Sequence, residues 1–277
     1  MKAGDRNPIC ETFAGSLDPD WRTHVVGVCL LDTTARSLRF VTSGAAAETY
    51  TNAQIDDYQG LPRSRFAWRP PLRLTVRARF SHAADRLRGT AGFGFWNDPL
   101  LVTQKRLPAL PRALWFFYAS PPSDIKLDTN TPGNGWKAAS IDAQRTGALI
   151  WAPLGPLLVP LMNLRLFYRA LWPHIQRSMR IREAPIPVDM ARWHTYVLHW
   201  DGERAHFSVS EGAAGHSTPL LSAPSPRGPL GFVMWQDNQY LVLTPWGRIQ
   251  WGLFDVPNGQ WMEVDYLEIS PLQGSGP

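Results

Sequence analysis

Two segments of this chain repeat one local pattern: Gly92-Phe93-Gly94-Phe95-Trp96-Asn97-Asp98 and Gly231-Phe232-Val233-Met234-Trp235-Gln236-Asp237-Asn238. Each is a short apolar run that ends in a Trp, a side-chain amide and an Asp. Side chains of a strand alternate between two faces, so Trp96 and Asp98 share a face, as do Trp235 and Asp237. Two such strands in one sheet would deliver stacking rings and carboxylates to a common cleft. The plainer alternative is a pair of buried strands, each closed by an Asx turn.

The rest of the chain supports a β architecture. Its 277 residues include 25 Pro and 13 Trp. Pro at this density opposes long helices and favours strand-ending turns, and Trp suits both β cores and ring-stacking surfaces. Apolar or alternating runs at 25–31, 37–41, 49–55, 72–80, 92–96 and 114–118 predict strands. So do 195–200, 205–209, 230–235, 239–243 and 262–269, with Asp201-Gly202 marking a hairpin. Ten or more strands with Gly/Pro turns predict a single β-sandwich.

Charge is unevenly spread. Residues 61–111 carry ten basic and two acidic groups, and 188–277 carry four and nine. The basic middle would attract phosphate or an anionic membrane, yet Arg73, Arg77 and Arg79 alternate with apolar residues as on a half-exposed strand. No phosphate loop, zinc spacing or helix-turn-helix pattern is present, so neither a nucleic acid partner nor a cofactor or metal is expected. Two cysteines, Cys10 and Cys29, define no disulfide scaffold, and whether they pair is open. Met1–Arg6 is followed by no apolar run, which makes a cytoplasmic protein the expectation.

One segment departs from the pattern. Thr146 to Leu164 contains no charge but has Pro153, Pro156 and Pro160, which exclude a regular membrane-spanning helix. Beyond it, Leu161, Leu164, Tyr168, Leu171, Trp172, Ile175 and Met179 recur at spacings of three or four, with arginines between them. That spacing predicts an amphipathic helix, ended or kinked at Pro173. The segment suits a lid over the mouth of the sandwich, a membrane-surface contact through 146–180, or an oligomer contact. The oligomeric state itself is open.

Four stretches together resemble the concanavalin A-like jelly roll, in particular the family sixteen glycoside hydrolases. Trp193-His194-Thr195-Tyr196-Val197-Leu198-His199-Trp200 followed by Asp201-Gly202 is similar to a strand and hairpin of that family. Trp261-Met262-Glu263-Val264-Asp265-Tyr266-Leu267-Glu268-Ile269 is similar to its final strand, and Gly89 to Trp96 to the strand before its catalytic one. Glu11 to Trp21 is similar to the opening of many such sandwiches. The resemblance implies an all-β concanavalin A-like jelly-roll sandwich over 1–277, with a partly helical apolar insertion at about 120–187. It also implies a concave sheet as the place for ligands.

Retaining members of that family need two carboxylates about 5 Å apart. The corresponding strand here, Arg112-Ala113-Leu114-Trp115-Phe116-Phe117-Tyr118, contains none, so retaining glucanase chemistry of that type is not expected. An aromatic strand in that place points to a lipophilic or glycosylated small molecule. Trp96, Trp115, Phe117, Tyr118 and Trp235 are the candidate stacking residues, and Asn97, Gln236 and Asn238 the candidate hydrogen-bonding ones. Asp98 and Asp237 add polar contacts. In an enzyme of a different class, such as a cofactor-independent cyclase, isomerase or hydrolase, they would be acid and base. A peripheral membrane protein anchored through 146–180 is the remaining alternative.

Overall fold

The computed structural model describes residues 7–15, 17–34, 36–99, 107–212 and 215–272. Met1–Arg6, the basis of the expectation about location, lie outside the described residues. Eight strands form one sheet, in the order Thr218–Pro224, Arg204–Glu211, His194–Trp200, Leu72–Phe80, Gln260–Pro271, Leu38–Thr42 and Cys29–Thr33, with Ile9–Glu11 added against Gln260–Pro271. Seven form the other, in the order Arg182–Pro185, Gly135–Asp142, Arg112–Ala119, Thr90–Trp96, Gly231–Asp237, Asn52–Asp56 and Arg22–Val26. Every neighbouring pair in the seven-stranded sheet is antiparallel. The two sheets pack face to face as a jelly-roll sandwich.

The period-two alternation decides what lies between the sheets. Phe93 and Phe95, Leu114, Phe116 and Tyr118, Trp136 and Ala138, and Phe232 and Met234 all point into the interlayer, where they meet Tyr196, Leu198 and Trp200 of the opposite sheet. Phe93 is the centre of an aromatic cluster. Its ring centroid lies 5.5 Å from Phe116, 5.9 Å from Trp136 and 5.4 Å from Tyr196. Such edge-on and tilted contacts add to the gain from burying the rings.

Two expectations change. The run 25–31 is not one strand: Arg22–Val26 belongs to the seven-stranded sheet and Cys29–Thr33 to the eight-stranded one. The chain crosses between them at Gly27, whose φ of +68° disfavours any L side chain and whose added Cβ would lie 2.7 Å from Thr51 Cγ2. The segment 120–187 is not wholly an insertion, since Gly135–Asp142 pairs along its length with Arg112–Ala119. Trp136, Ala138, Ala139 and Ile141 alternate with polar residues too weakly for that strand to stand out in the sequence.

The helical part is α1 (Thr146–Leu149), α2 (Gly155–Leu161) and α3 (Arg165–Ser178). They cover part of the outward face of the seven-stranded sheet: Leu158, Met162, Trp172 and Ile175 pack with Ala113, Ile141, Ala143 and Ile181. α3 runs through Pro173 instead of ending there. Burial of Trp172 and Ile175 on either side of the proline offsets the backbone hydrogen bond that it removes. Among the described residues no helix is long and apolar enough to cross a membrane. Cys10 and Cys29 are both free thiols, the second buried against Thr42 Oγ1 at 3.3 Å.

Phe93→Ala is expected to cost about 3–5 kcal/mol of folding stability, because it empties the middle of the aromatic interlayer. Urea unfolding followed by tryptophan fluorescence measures this as a lowered midpoint at unchanged slope.

Candidate functional site

The outward face of the seven-stranded sheet carries an aromatic floor. It exists because Thr90–Trp96 presents glycine there at alternate positions. Gly92 and Gly94 leave the face bare while Phe93 and Phe95 fill the core. A Cβ on Gly92 would lie 3.2 Å from Trp235 Cη2, so the Trp235 indole rests over the vacated position. At Gly94, φ is +147° and a Cβ would come 2.3 Å from the Leu114 carbonyl oxygen.

Trp96 and Trp235 lie on adjacent antiparallel strands with ring planes 6° apart and centroids 6.4 Å apart. Trp115 sits 6.0 Å from Trp96 and 6.2 Å from Trp235, and Phe117 sits 5.9 Å from Trp235. The three indoles are half-buried. Trp96 Nε1 donates to Tyr58 Oη at 2.7 Å, and Trp235 Nε1 donates to Thr90 Oγ1 at 2.9 Å, which fixes both rings. Trp96 and Trp115 also pack against the helical segment, where Trp151 and Tyr168 are further half-buried rings and Trp246, from a turn outside the segment, packs on Tyr168.

Polar groups flank this floor on both sides. On one side Lys137 Nζ pairs with Glu183 Oε1 at 2.9 Å, with the side chains only 1% and 2% exposed. Burial pushes the Glu183 carboxyl up and the Lys137 ammonium opposes it. On the other side Asp237, Asn52 and Gln54 share the outward face, Asn52 standing opposite Asp237 in the ladder. Asn52 is buried with neither Oδ1 nor Nδ2 hydrogen-bonded. Asp237 Oδ1 accepts from Thr90 N, Thr90 Oγ1 and Gln239 N, and its Oδ2 accepts from Gln239 Nε2. Burial nevertheless pushes the Asp237 carboxyl up to about 7. The neighbouring Tyr50 phenol is raised by its own burial and by the Asp237 charge.

The structure brings Trp96, Trp115, Phe117 and Trp235 together with Asp237 at their flank, and turns Tyr118, Gln236, Asn97 and Asn238 to other partners. Tyr118 points into the interlayer, where its hydroxyl donates to the Ala84 and Leu87 carbonyls. Its parity is opposite to that of Trp115 and Phe117, so it cannot line the same face. Gln236 is buried between the sheets, its Nε2 donating to Thr42 Oγ1 and to the Gln260 carbonyl. Asn97 bridges a turn: Oδ1 accepts from Arg112 N at 2.9 Å and Nδ2 donates to Leu110 O at 3.0 Å. Asn238 staples three segments, with Oδ1 accepting from Thr51 N and Nδ2 donating to Ala46, Thr49 and Phe254 carbonyls. These amides serve turns and strand ends.

Asp98 and Asp237 do not form an acid/base pair. Their strands are antiparallel, with Asp237 opposite Thr90 and Asp98 following Trp96 at the other end. Six residues of strand put about 20 Å between those ends. Asp98 is fully buried at φ 46°, and its backbone carbonyl accepts from Arg63 Nη2 at 2.6 Å. Similar sequences at the ends of two strands meet only if the strands are parallel, and these are not. Among the described residues no group of three or more His, Cys, Asp or Glu gathers as a metal site. Asp265 on the opposite sheet is paired with Arg77 at 3.2 Å.

Lys137→Met is expected to destabilise the fold by about 3–5 kcal/mol by leaving Glu183 buried and unpaired, and adding Glu183→Gln to recover most of the loss; denaturant titration of the two variants checks both. Asp237 titrates near 3.8 when unfolded and near 7 when folded. Its contribution is therefore complete in acid and is lost as pH rises through about 7. Asp237→Asn should flatten that slope, so that the unfolding free energies of variant and wild type, from denaturant titration, diverge between pH 5 and 8 by about 1 kcal/mol or more.

No family profile matches this chain, and no curated protein does. Solved structures do. The exoplasmic/lumenal domain of VIP36 in its Ca2+/Man2-bound form superposes with a TM-score of 0.51 at 10% identity, covering 98% of this chain and 89% of that one. Rv0315 of Mycobacterium tuberculosis, described as an immunostimulatory antigen and pseudo beta-1,3-glucanase, superposes with a TM-score of 0.51 at 12% identity, covering 96% and 98%. The likeness runs through both sheets, and the chain has the fold of the concanavalin A-like lectins and glucanases.

Proposed function

We propose that this protein is a binding protein for a glycosylated or lipophilic small molecule held against the Trp96–Trp115–Phe117–Trp235 floor. The observation that carries this reading is that floor itself: four rings gathered over the bare outward positions of Gly92 and Gly94, with its three indoles only partly buried. Indole faces stack on the apolar faces of sugar rings and on other rings alike. Asn52 is the polar group with hydrogen-bonding capacity to spare at its edge. The similar structures include a domain solved with bound Man2, which agrees with a sugar-bearing ligand.

A second reading rests on the helical segment. Between Asp142 and Glu183 there are six arginines and no acidic residue. Its outer surface exposes Ile150 at 65%, Leu157 at 63% and Leu166 at 77%, and the adjoining hairpin of strands Gln239–Leu243 and Ile249–Leu253 exposes Trp251 at 68%. Apolar and basic groups on one surface favour an anionic membrane interface. A lipophilic ligand would then enter from the membrane under the helices.

Titration of mannobiose, laminaritriose and octyl glucoside, followed by tryptophan fluorescence, tests the first reading. Trp235→Ala is expected to weaken whichever ligand binds at least about tenfold, and an unchanged affinity would remove the floor from the site. For the second reading, sedimentation with phosphatidylserine vesicles should retain the wild type and lose Leu157→Asp/Leu166→Asp; absence of the wild type from the pellet sinks it.

A further inference from the structure

Away from the aromatic floor, a concavity of about 690 Å3 is lined by Arg69, Arg145, Arg180, Arg227, Glu203 and Ser225. It is built from turns: Arg69 precedes the Pro70-Pro71 turn, Arg227 lies in the loop before Gly231–Asp237, and Arg145 and Arg180 flank the helical segment at its two ends. None of these residues belongs to the aromatic floor.

The charges here do not balance. Arg112 stands behind the four lining arginines, with its Nη1 on the Arg227 carbonyl at 2.7 Å. Against these five guanidinium groups stands buried Asp142, which pairs with Arg145 at 2.9 Å and is approached by Arg112 at 3.8 Å. Glu203 is exposed at the rim. The Ser225 carbonyl accepts from both Arg145 Nη2 at 3.4 Å and Arg180 Nη1 at 3.2 Å, which turns two guanidinium groups toward one point. Arg69 Nη1 is buried without any hydrogen-bond partner. Burial, together with repulsion from Arg145 and Arg227, pushes the Arg112 and Arg180 groups down, opposed by Asp142. Gly228 lets the backbone close on Arg69, since a Cβ there would lie 2.8 Å from Arg69 Cγ.

We propose that this concavity is a binding site for a phosphate or sulfate group, taken as the free dianion or as the terminal group of a monoester. Planar guanidinium forks match the oxygen spacing of a tetrahedral oxyanion, and several of them share its charge. A dianion there offsets the repulsion among the arginines. A carboxylate, with one charge and two oxygens, would satisfy fewer of these donors.

The test is calorimetric titration of the whole chain with inorganic phosphate and with sulfate, in acetate and chloride at matched ionic strength. Phosphate and sulfate are expected to bind saturably and to raise the thermal midpoint, whereas acetate and chloride do neither. Arg227→Ala, at an exposed position, and Arg69→Gln should each weaken phosphate at least about tenfold, while Arg192→Ala, elsewhere on the surface, leaves it unchanged. Stabilisation by every salt alike, or phosphate binding unaltered in the folded Arg227→Ala protein, overturns the assignment. Glucose 6-phosphate and phosphatidic acid vesicles separate the two sources. Either one, displaced by inorganic phosphate and sensitive to Arg227→Ala, supports the site, and retention insensitive to both counts against it.

Discussion

The architecture depends on one strand that is aromatic on one side and bare on the other. Phe93 and Phe95 enter the interlayer while Gly92 and Gly94 face outward. The inward rings join the two sheets through Phe116, Trp136, Tyr196, Trp200 and Phe232. Ring packing at interior density makes the sandwich rigid at its middle. The outward glycines let the indoles of neighbouring strands lie low on the sheet. One sequence alternation thus produces both the core and the floor of the candidate site.

Several buried polar groups are answered by specific partners. Asp237 accepts hydrogen bonds from Thr90 and Gln239, Asn238 accepts from Thr51 and donates to the Ala46, Thr49 and Phe254 carbonyls, and Lys137 pairs with Glu183. These contacts pin strand ends and loops and restrict how the floor moves. Among the buried polar atoms that lack a hydrogen-bond partner are both ends of the Asn52 amide and Arg69 Nη1. Asn52 lies at the edge of the aromatic floor, and Arg69 is one of the residues that line the arginine-rich concavity. Buried polar atoms without partners are costly, and a ligand that supplies the partner recovers that cost.

The matching Trp–amide–Asp endings show how far local pattern reaches. Both strands formed within one residue or two of the expected bounds, at Thr90–Trp96 and Gly231–Asp237, and they are neighbours. The rings met because side chains from adjacent strands can lean across glycine. The carboxylates did not, because antiparallel pairing sends the two chain ends in opposite directions. The amides of Asn97, Gln236 and Asn238 were legible as turn formers or ligands with equal ease, and backbone groups distant in sequence claimed them. Strand Gly135–Asp142 was hidden because its outward face carries Lys137, buried only by its pairing with Glu183 on the next strand.

What the residues determined alone was periodicity. Alternation specified strands and their inner faces, prolines and glycines specified where strands end, and the spacing of Tyr168, Trp172, Ile175 and Met179 specified an amphipathic helix. These are local properties, set by backbone geometry over a few residues. Tertiary structure alone decided strand order and direction, and with them which side chains share a site. It also gathered Arg69, Arg112, Arg145, Arg180 and Arg227, spread over more than half the chain, at one concavity. The physical reason is that pairing across a sheet is non-local. Its partners are selected by burial and register over the whole sandwich, and no window of sequence contains both sides of that choice.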